Sequence, residues 1–451
     1  MDARTQQMLS ARLFPLLVRM ATPSTVAFFI QGSVSLAEVW FIGQIGSVSL
    51  AAIALAFPLL MLTQTLSGGA MGGAVASSIA RALGAGDVDR AERLVWHALA
   101  LGAAGAGALW VVFLLFGRGF LQFLGGEGQV LEQSQAYASI LLAGGVFLWI
   151  SGVSAALDRG MGEMQFPAGI MILNAAIQIP LSGCLILGWG GLPQLGIVGA
   201  AVSAVISAAL VCLLLIYRLI VSDLPVHLRR SAMTFSRKDF ADILQVALPG
   251  SLSPILTVAT VLVLTGYVAS FGEAALAGYG IGSRVEFLII PLVFGLGSAM
   301  TSVVGVSVGA KDLQRAEQAG WVGGASAGCI AGVVGVTLAI FADSWIAVFT
   351  NEPGVHAAAK SYIQIVGPFF FFHGIGLSLY FASQGANAMF WPVLATILRI
   401  MLAGIGGYLL AFSLGLGLMG IYLAAAAAMV LYAMVIAGAI KFGAWRKAAV
   451  G

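Results

Sequence analysis

The sequence predicts an all-α polytopic membrane protein with twelve transmembrane helices in two six-helix lobes. The first observation is composition, since 60% of the 451 residues are hydrophobic, only 9% are charged, and the mean hydropathy is +1.02. A soluble domain carries roughly a quarter charged residues. The second observation is that apolar runs of about 20 residues recur, each long enough to cross the bilayer as a helix. The third is an internal repeat that divides the chain in two.

The internal repeat is clearest in a short polar stretch that lies between apolar runs. Residues 83–98 read LGAGDVDRAERLVWHA, and residues 308–323 read VGAKDLQRAEQAGWVG, at an offset of 225 (308 − 83). In each copy we expect glycine to supply a turn and an aspartate, Asp87 or Asp312, to cap the helix that follows. A polar loop alone is usually a solvated connector. Its duplication at half the chain length indicates two copies of one membrane module.

Twelve spans and a central linker follow from the apolar runs. The predicted spans are 14–42, 48–70, 92–116, 134–157, 165–188, 195–220, 243–268, 274–299, 316–341, 358–383, 391–412 and 417–440. The polar residues 222–242 are the predicted linker between an N-terminal lobe, 1–221, and a C-terminal lobe, 243–451. Six spans per lobe is an even number, so both lobes start on the same side, and we expect a pseudo-twofold axis along the membrane normal. Pro23 and Pro249 lie in the first span of each lobe and are predicted bending points, because proline removes a backbone donor.

The distribution of lysine and arginine predicts the orientation. If the N-terminus is inside, about 17 of the 21 basic residues fall in cytoplasmic segments, as the positive-inside rule requires. Arg118 and Lys360 are the exceptions outside, and Arg284 and Arg399 lie within spans. We therefore expect both termini and the linker to be cytoplasmic. The expected location is a plasma membrane, the inner membrane of a bacterium.

Several classes of protein lack support in the sequence. The three cysteines and four histidines have no metal-type or catalytic spacing. No Walker-type Gly-x-x-x-x-Gly-Lys-Ser/Thr sequence is present. We therefore expect no enzymatic activity, no metal and no cofactor. The expected partners are a small organic substrate and membrane lipid, without nucleic acid, and the expected state is a monomer.

The most informative residue is Glu38, about four helical turns beyond Pro23 in the first span. An ionisable side chain at bilayer depth costs a few kcal/mol, so it usually faces a cavity or a partner. One interpretation is an interfacial carboxylate near the end of a helix. The other is a protonatable carboxyl that carries a coupling ion, and this is the interpretation that we favour.

Other polar residues at bilayer depth are candidates for a substrate cavity. Arg284 and Glu286 lie two residues apart, so they point to different faces of a helix and should find separate partners. Arg399 lies in span 11, and its equivalent in the first repeat is Asn174. The remaining candidates are Gln64, Gln178 and His373. For each of these side chains, an interhelical hydrogen bond or ion pair is the alternative to substrate contact.

Several motifs, taken in order along the chain, resemble those of a known family. They are Pro23, EVWFIGQIG at 38–46 with LAA at 50–52, LGAGD at 83–87, LGIVGAA at 195–201, LAGYG at 276–280 with Arg284, and VGAKDLQRA at 308–316. The stretch from Glu38 to Ala52 resembles Asp-Thr-x-x-x-Gly-x-x-Gly…Leu-Ala-Ala of the multidrug and toxic compound extrusion (MATE) family. The resemblance covers nearly the whole chain. It implies twelve helices in two lobes around a V-shaped central cleft, and export of drug-like, often cationic compounds driven by proton or sodium influx.

The chain also departs from the family pattern. Glu38 stands where the family usually has Asp, and residues 174–178, NAAIQ, lack the second carboxylate that some members have in the fifth span. Thr257 and His373 fall near positions that are acidic in another branch. These departures disfavour a sodium site in the C-terminal lobe, because hard cations prefer carboxylate and carbonyl oxygens. They place the chain nearest to the DNA-damage-inducible branch.

The predicted function is that of a cation-coupled antiporter, with the proton as the expected ion, which exports drug-like or cationic organic compounds by alternating access. Two alternatives stay open. One is a sodium-coupled exporter. The other is a lipid-linked oligosaccharide flippase of the same superfamily, which would favour a large cleft lined with basic residues. Only two basic residues, Arg284 and Arg399, lie at bilayer depth, which is few for such a cleft and argues for the exporter.

Overall fold

The computed structural model describes residues 2–450, except for the side chains of Phe287 and of residues 448–450. Within this range the regular structure is helical throughout, with no strand. Eleven helices are long and apolar enough to cross a membrane, and a pair bent by 50° around Gly144 supplies a twelfth span. The predicted all-α membrane fold is therefore confirmed.

The spans are numbered 1 to 12 in chain order, with the bent pair as span 4. Their bounds are Leu13–Gly43, Ser47–Gly84, Val88–Phe123, Gly128–Ala143 with Gly145–Gly160, Gln165–Leu187, Ile197–Val221, Arg237–Ala269, Glu273–Gly309, Leu313–Ile340, Pro353–Gly385, Phe390–Ser413 and Gly417–Lys441. Short helices, Ala3–Ser10, Ala342–Ala347 and Ala444–Val450, lie outside them. Several helices run past the predicted apolar stretch, since backbone hydrogen bonds persist where side chains turn polar.

The two copies of the polar loop have the same backbone. Gly86 has φ +76°, and Lys311, the residue 225 positions later (311 − 86), has φ +63°. Glycine adopts this left-handed conformation freely, whereas a lysine there costs about 1 kcal/mol or more. The next residue caps a helix in both copies, because Asp87 accepts a hydrogen bond from the Arg90 amide and Asp312 from the Arg315 amide, each at 2.9 Å. The predicted caps are confirmed.

The close helix crossings are also duplicated. A Cβ atom at Gly160 would lie 2.7 Å from the carbonyl oxygen of Ala76, and one at Gly385 would lie 2.6 Å from that of Thr301. Both members of the second pair lie 225 positions after those of the first (385 − 160 and 301 − 76). Only glycine permits these backbones to approach so closely, as in other small-residue contacts between membrane helices.

Regular helical hydrogen bonding is interrupted at matching places in the two repeats. Span 2 contains a π-helical segment, Thr65–Met71, and the equivalent of Thr65 in span 8 is Pro291 (291 − 65 = 226). Span 11 contains the π-helical segment Leu402–Gly406, and the equivalent of its Ile405 in span 5 is Pro180 (405 − 180 = 225). A π turn and a proline each remove an i→i−4 hydrogen bond. Both repeats therefore interrupt the helix at the same place, but one does so by a π turn and the other by a proline.

The chain divides into two compact units. The first contains the residues up to Arg4 and Val26–Ala247, and the second contains Thr5–Thr25 and the residues from Leu248 onward. The predicted linker, 222–242, lies within the first unit. Two of its carboxylates, Asp239 and Asp242, bind arginines of that unit. The division into lobes 1–221 and 243–451 stays a prediction.

Candidate functional site

Glu38 is a buried carboxyl in the first unit. It lies in span 1, five residues before the helix ends at Gly43, and only 8% of it is exposed. Within the part of the chain that the structure describes, no lysine, arginine or histidine forms an ion pair with it. Burial at this level argues against an exposed interfacial carboxylate. A buried carboxyl without a cation must be stabilised by hydrogen bonds from neutral groups.

Span 5 supplies the first of these neutral groups. Gln178 donates from its amide nitrogen to Glu38 Oε1 at 2.9 Å, and the Ser182 hydroxyl donates to the same oxygen at 3.1 Å. Asn174 donates to the amide oxygen of Gln178 at 3.1 Å. The three residues are spaced at i, i+4 and i+8, so they share one face of the helix. The structure thus brings together Glu38, Asn174 and Gln178, three of the residues that the sequence singled out.

Span 6 extends the group through two serines that the sequence analysis did not single out. Ser203 Oγ lies 2.6 Å from Ser182 Oγ, and Ser203 also reaches the carbonyl oxygen of Ala200 at 2.8 Å. Ser207 donates to the amide oxygen of Gln178 at 3.4 Å. Ser203 and Ser207 are spaced at i and i+4, like the two residues of span 5 that they contact. Because both pairs have the spacing i, i+4, the sequence could have indicated that Ser203 and Ser207 face the polar residues of span 5.

The surroundings of this polar group are apolar. Phe41, Ile42 and Ile186 belong to the buried cluster beside it, together with Tyr137 of span 4. Tyr137 is 1% exposed and interacts electrostatically with Glu38. In such a medium of low dielectric constant hydrogen bonds are strong, and an unpaired charge is costly. The hydrogen bonding of this group therefore depends on whether Glu38 carries a proton.

The hydroxyls can follow the protonation state of Glu38 by rotation alone. Each hydroxyl has one hydrogen to donate. When Glu38 is ionised, Ser182 donates to it and Ser203 donates to Ser182. When Glu38 is protonated, its hydroxyl can donate to Ser182, Ser182 to Ser203, and Ser203 to the Ala200 carbonyl. The arrangement can hold or release a proton without moving a helix.

Gln64 lies apart from this group. Its side chain is exposed on span 2, directly before the π-helical segment. Its backbone carbonyl accepts a hydrogen bond from Ser67 at 3.4 Å. Among the described residues its side chain makes no hydrogen bond to Glu38 or to that residue's partners.

The second unit holds another polar group, around Glu286. Tyr362 donates to Glu286 Oε1 at 3.3 Å, and Arg399 interacts electrostatically with the carboxyl of Glu286 and with His373. The Arg399 guanidinium lies 5.5 Å from the ring centre of Tyr432. Three of the predicted candidates, Glu286, His373 and Arg399, therefore lie in one neighbourhood.

Arg284 is directed elsewhere, as the two-residue spacing from Glu286 predicts. Its side chain is exposed, and its guanidinium lies 5.3 Å from the ring centre of Phe349. A cation over an aromatic face at an exposed site contributes about 0.5–1 kcal/mol. The structure therefore separates Arg284 from the group around Glu286.

Tyrosines dominate the group around Glu286, and the sequence analysis missed them. The rings of Tyr279 and Tyr422 pack edge-on against Tyr362, at centroid distances of 5.4 and 5.2 Å. The Tyr422 hydroxyl and His373 Nδ1 are buried and have no hydrogen-bond partner in the described structure. These tyrosines come from spans 8, 10 and 12, so no local periodicity relates them.

The Glu38 group occurs in one repeat only. By the offset of the repeat, Leu264 replaces Glu38, Ala403 replaces Gln178 and Gly407 replaces Ser182. Span 12 aligns with span 6 at an offset of 221, because Gly199 and Gly420 make equivalent close contacts to residues 185 and 410. Ala424 therefore replaces Ser203. The second repeat carries apolar side chains where the first carries a protonatable group.

The duplicated loop of the first unit binds the segment between spans 6 and 7. Arg90 donates to Asp239 at 3.3 Å and to Asp242 at 3.0 Å, and Asp242 also accepts from Arg81 at 2.9 Å. Glu92, two residues beyond Arg90, lies 3.5 Å from the Arg229 guanidinium. The loop therefore holds both the start of span 7 and the segment that follows span 6.

The duplicated loop of the second unit makes the equivalent contacts with other parts of the chain. Arg315 donates to the carbonyl oxygens of Met8 at 2.8 Å and Ala11 at 2.7 Å, just before span 1. Glu317 accepts two hydrogen bonds from Arg446, after span 12, at 2.7 and 2.8 Å. In each unit the arginine of the duplicated loop binds the segment before the first span of a repeat, which is span 7 or span 1. The glutamate binds the segment after the last span of a repeat, which is span 6 or span 12.

Among the described residues no group of three or more His, Cys, Asp or Glu side chains could hold a metal ion.

Comparison with known proteins gives consistent results for both halves. The MatE family model matches residues 23–183 and again residues 249–410, so the two matches begin at Pro23 and Pro249. The chain is 26% identical over 414 residues to an FAD transporter of Shewanella oneidensis, covering 89% of this chain and 90% of that protein. It is 25% identical over 439 residues to the probable multidrug resistance protein NorM of Thermotoga maritima, covering 96% and 93%. A crystal structure of MATE in the straight conformation matches with a TM-score of 0.90 and 25% identity, covering 99% of each chain.

Proposed function

The chain belongs to the MatE family, and from this premise we propose that it is a proton-coupled antiporter that exports drug-like or cationic organic compounds. The proposal includes alternating access, residence in a bacterial inner membrane as a monomer, and cytoplasmic termini. Relatives named as multidrug resistance proteins support the substrate class. The choice of ion rests on Glu38.

The observation that carries the proposal is a buried carboxyl held only by neutral donors. Glu38 accepts hydrogen bonds from Gln178 and Ser182, and no cation in the described structure neutralises it. A proton or a cationic substrate can each neutralise this charge, so the binding of one disfavours the other. Mutual exclusion of this kind is a coupling free energy, and about 1–3 kcal/mol is sufficient.

The contacts of Glu38 favour a proton over sodium. Gln178 presents its amide nitrogen to the carboxylate, while its oxygen faces Asn174 and Ser207. Sodium requires several oxygen ligands, as other hard cations do, so Gln178 would have to turn its oxygen to the ion, and Asn174 and Ser207 would have to reorient with it. A proton requires only the hydroxyl rotations described above. Sodium coupling is the alternative that the experiment must exclude.

Alternating access is proposed to use the first spans of the two halves. The chain passes between the two units after Arg4, after Thr25 and after Ala247, and the last two points lie two residues from Pro23 and Pro249 respectively (25 − 23 and 249 − 247). Helices bend most readily where proline has removed a hydrogen bond. A disulfide that ties the extracellular ends of the two halves should stop efflux while the protein stays folded. Unchanged efflux in the tied form would contradict the proposed motion.

One relative gives a specific reason to test an anionic substrate. The Shewanella oneidensis protein is named an FAD transporter, and the present chain has an exposed Arg284 and a half-buried Arg399 at depth. FAD therefore belongs in the substrate screen beside cationic dyes. A lipid-linked oligosaccharide is the third class to include.

The decisive experiment is efflux from proteoliposomes under an imposed proton or sodium gradient. We expect Glu38→Gln to abolish proton-driven efflux in a folded protein, and Glu38→Asp to retain part of it. Glu127→Gln, which alters an exposed carboxyl at the turn before span 4, is the matched control and should transport normally. Full proton-driven efflux by Glu38→Gln would refute the role of Glu38. Efflux that follows only the sodium gradient would replace the proton by sodium.

A further inference from the structure

The segment between spans 6 and 7 has an exposed surface that is both cationic and apolar. Arg230, Arg237 and Lys238 are exposed, and between them Met233 and Phe235 are 51% and 53% exposed. These five side chains are called the linker patch below. Exposed single apolar residues are common, but two of them among three cations form an amphipathic surface.

The cations of the linker patch are not used for ion pairs. Nearby arginines are, because Arg90 and Arg93 bind Asp239 and Arg229 lies beside Glu92. In the described structure Arg230, Arg237 and Lys238 have no acidic side chain within ion-pair distance. Asp239, Asp242 and Glu92 are occupied by other cations, and in the described structure Asp223, the other carboxylate of this segment, forms no ion pair with the patch. The patch therefore presents uncompensated positive charge.

The backbone that carries the patch is held on both sides. The Trp96 indole donates to the carbonyl oxygen of Arg229 at 2.9 Å, and the Ser236 amide donates to His97 Nε2 at 2.9 Å. Ser236 also caps span 7, because its hydroxyl oxygen accepts from the Asp239 amide at 3.1 Å. A held backbone lowers the entropy that a ligand must overcome to bind.

The position of the patch indicates its ligand. It begins within ten residues of Val221, where span 6 ends, and extends into the first turn of span 7 at Arg237 (230 − 221 = 9). The ends of membrane-crossing helices lie at the depth of the lipid headgroups. Cations there attract anionic headgroups, and apolar side chains enter the acyl boundary.

We propose that the linker patch is a binding site for anionic phospholipids, in which Arg230, Arg237 and Lys238 bind the phosphodiester and Met233 and Phe235 contact the acyl chains. The hydrogen bonds of Arg90, Trp96 and His97 hold the backbone of this segment so that these side chains stay exposed. This site is separate from Glu38 and does not depend on the transported substrate or the coupling ion.

The test is native mass spectrometry of the purified full chain with phosphatidylglycerol and phosphatidylcholine of equal chain length. Each cation near an anionic surface contributes about a fivefold increase in binding. We therefore expect R230Q/R237Q/K238Q to lower the preference for phosphatidylglycerol by at least about tenfold. The matched control, R118Q/K311Q/K447Q, removes three exposed cations elsewhere and should keep the preference.

Two further measurements keep the proposal open to refutation. M233S/F235S leaves every charge in place and should weaken binding of the long-chain lipid while the soluble headgroup, glycerophosphoglycerol, competes as before. An unchanged preference in the triple variant, or unchanged binding of the long-chain lipid by M233S/F235S, would overturn the proposal. Inorganic phosphate that displaces the lipid as effectively as phosphatidylglycerol itself would also overturn it, in favour of a free-anion site. Thermal unfolding of each variant establishes that it is folded.

Discussion

The Gln178 side chain joins spans 5 and 1, because its amide nitrogen donates to Glu38 at 2.9 Å while its oxygen accepts from Asn174. This polarity matters for the ionised carboxylate. An ionised carboxylate only accepts hydrogen bonds, so Glu38 determines that the nitrogen of Gln178 faces it, and Asn174 donates to the remaining oxygen.

Replacement of Gln178 by Met should reduce proton-driven efflux about tenfold or more. The change keeps the length of the side chain but removes a donor to a charged group, which is worth about 1.5–3 kcal/mol. Initial efflux rates in proteoliposomes give the measurement. Gln122→Met, at the exposed end of span 3, is the matched control and should stay near wild type. Equal loss in both variants would indicate a general effect on the helices.

Ser182→Ala should move the pH midpoint of proton-driven efflux upward. The ionised carboxylate of Glu38 loses a hydrogen-bond donor, whereas the protonated carboxyl loses only a hydrogen-bond acceptor. The ionised form is therefore destabilised more, and the proton is retained to higher pH. Ser203→Ala should produce a smaller shift in the same direction, because it acts through Ser182. The pH profile of efflux is the readout. Ser151→Ala removes a hydroxyl that donates to Leu148 of its own helix and should leave the profile unchanged. A downward shift for Ser182→Ala would contradict the proposed hydrogen bonding through Ser182 and Ser203.

Arg90→Gln should destabilise the protein more than Arg315→Gln, although the two arginines are equivalent in the repeat. Arg90 neutralises two carboxylates, Asp239 and Asp242, which would be left partly buried, whereas Arg315 binds carbonyl oxygens. Each of the two carboxylates keeps one other arginine, Arg93 or Arg81, so the cost of Arg90→Gln stays below the figure of about 3–5 kcal/mol for a buried pair that loses its only partner. The carbonyl oxygens that bind Arg315 carry no charge, so leaving them without it costs less. Thermal unfolding midpoints in detergent compare the two. A second change, Asp239→Asn, should partly rescue Arg90→Gln and should not rescue Arg315→Gln.

The proposed orientation predicts which residues an impermeant reagent reaches. Cysteines introduced beside Arg118 and Lys360 should react from outside intact cells, and one beside Arg230 should react only after the membrane is opened. This follows from the concentration of basic residues in the segments taken as cytoplasmic. The opposite labelling pattern would reverse the orientation. A cysteine-free background removes the signal of the exposed Cys329.

The fold was largely predictable because apolar length and duplication are properties of the sequence. The paired caps, Asp87 and Asp312, followed from the residue type at the loop end. The π-helical segment Thr65–Met71 could not be predicted, since its composition is compatible with an ordinary helix. Only comparison with Pro291 in the other repeat reveals that the same place is interrupted twice.

The candidate site was predictable in part. Glu38, Asn174 and Gln178 stand out as polar residues in apolar runs, but the sequence does not determine that spans 1 and 5 place them in contact. Ser182 and Ser203 were missed because serine is common in membrane helices and usually bonds within its own helix. Packing between distant spans, which no local pattern encodes, brings these side chains together.

The two duplicated loops hold equivalent pairs of chain segments, although only one of these pairs is joined by the backbone. One loop holds both sides of the connection between spans 6 and 7, through Arg90 and Glu92. The other holds the start of span 1 and the end of span 12 in the same manner, through Arg315 and Glu317. The chain is covalently continuous at the first of these places, whereas at the second the segments before span 1 and after span 12 are held by side chains alone. A circular permutant that is opened between residues 222 and 236, with a flexible peptide joining the segment after Arg446 to the segment before Ala3, should therefore assemble and transport.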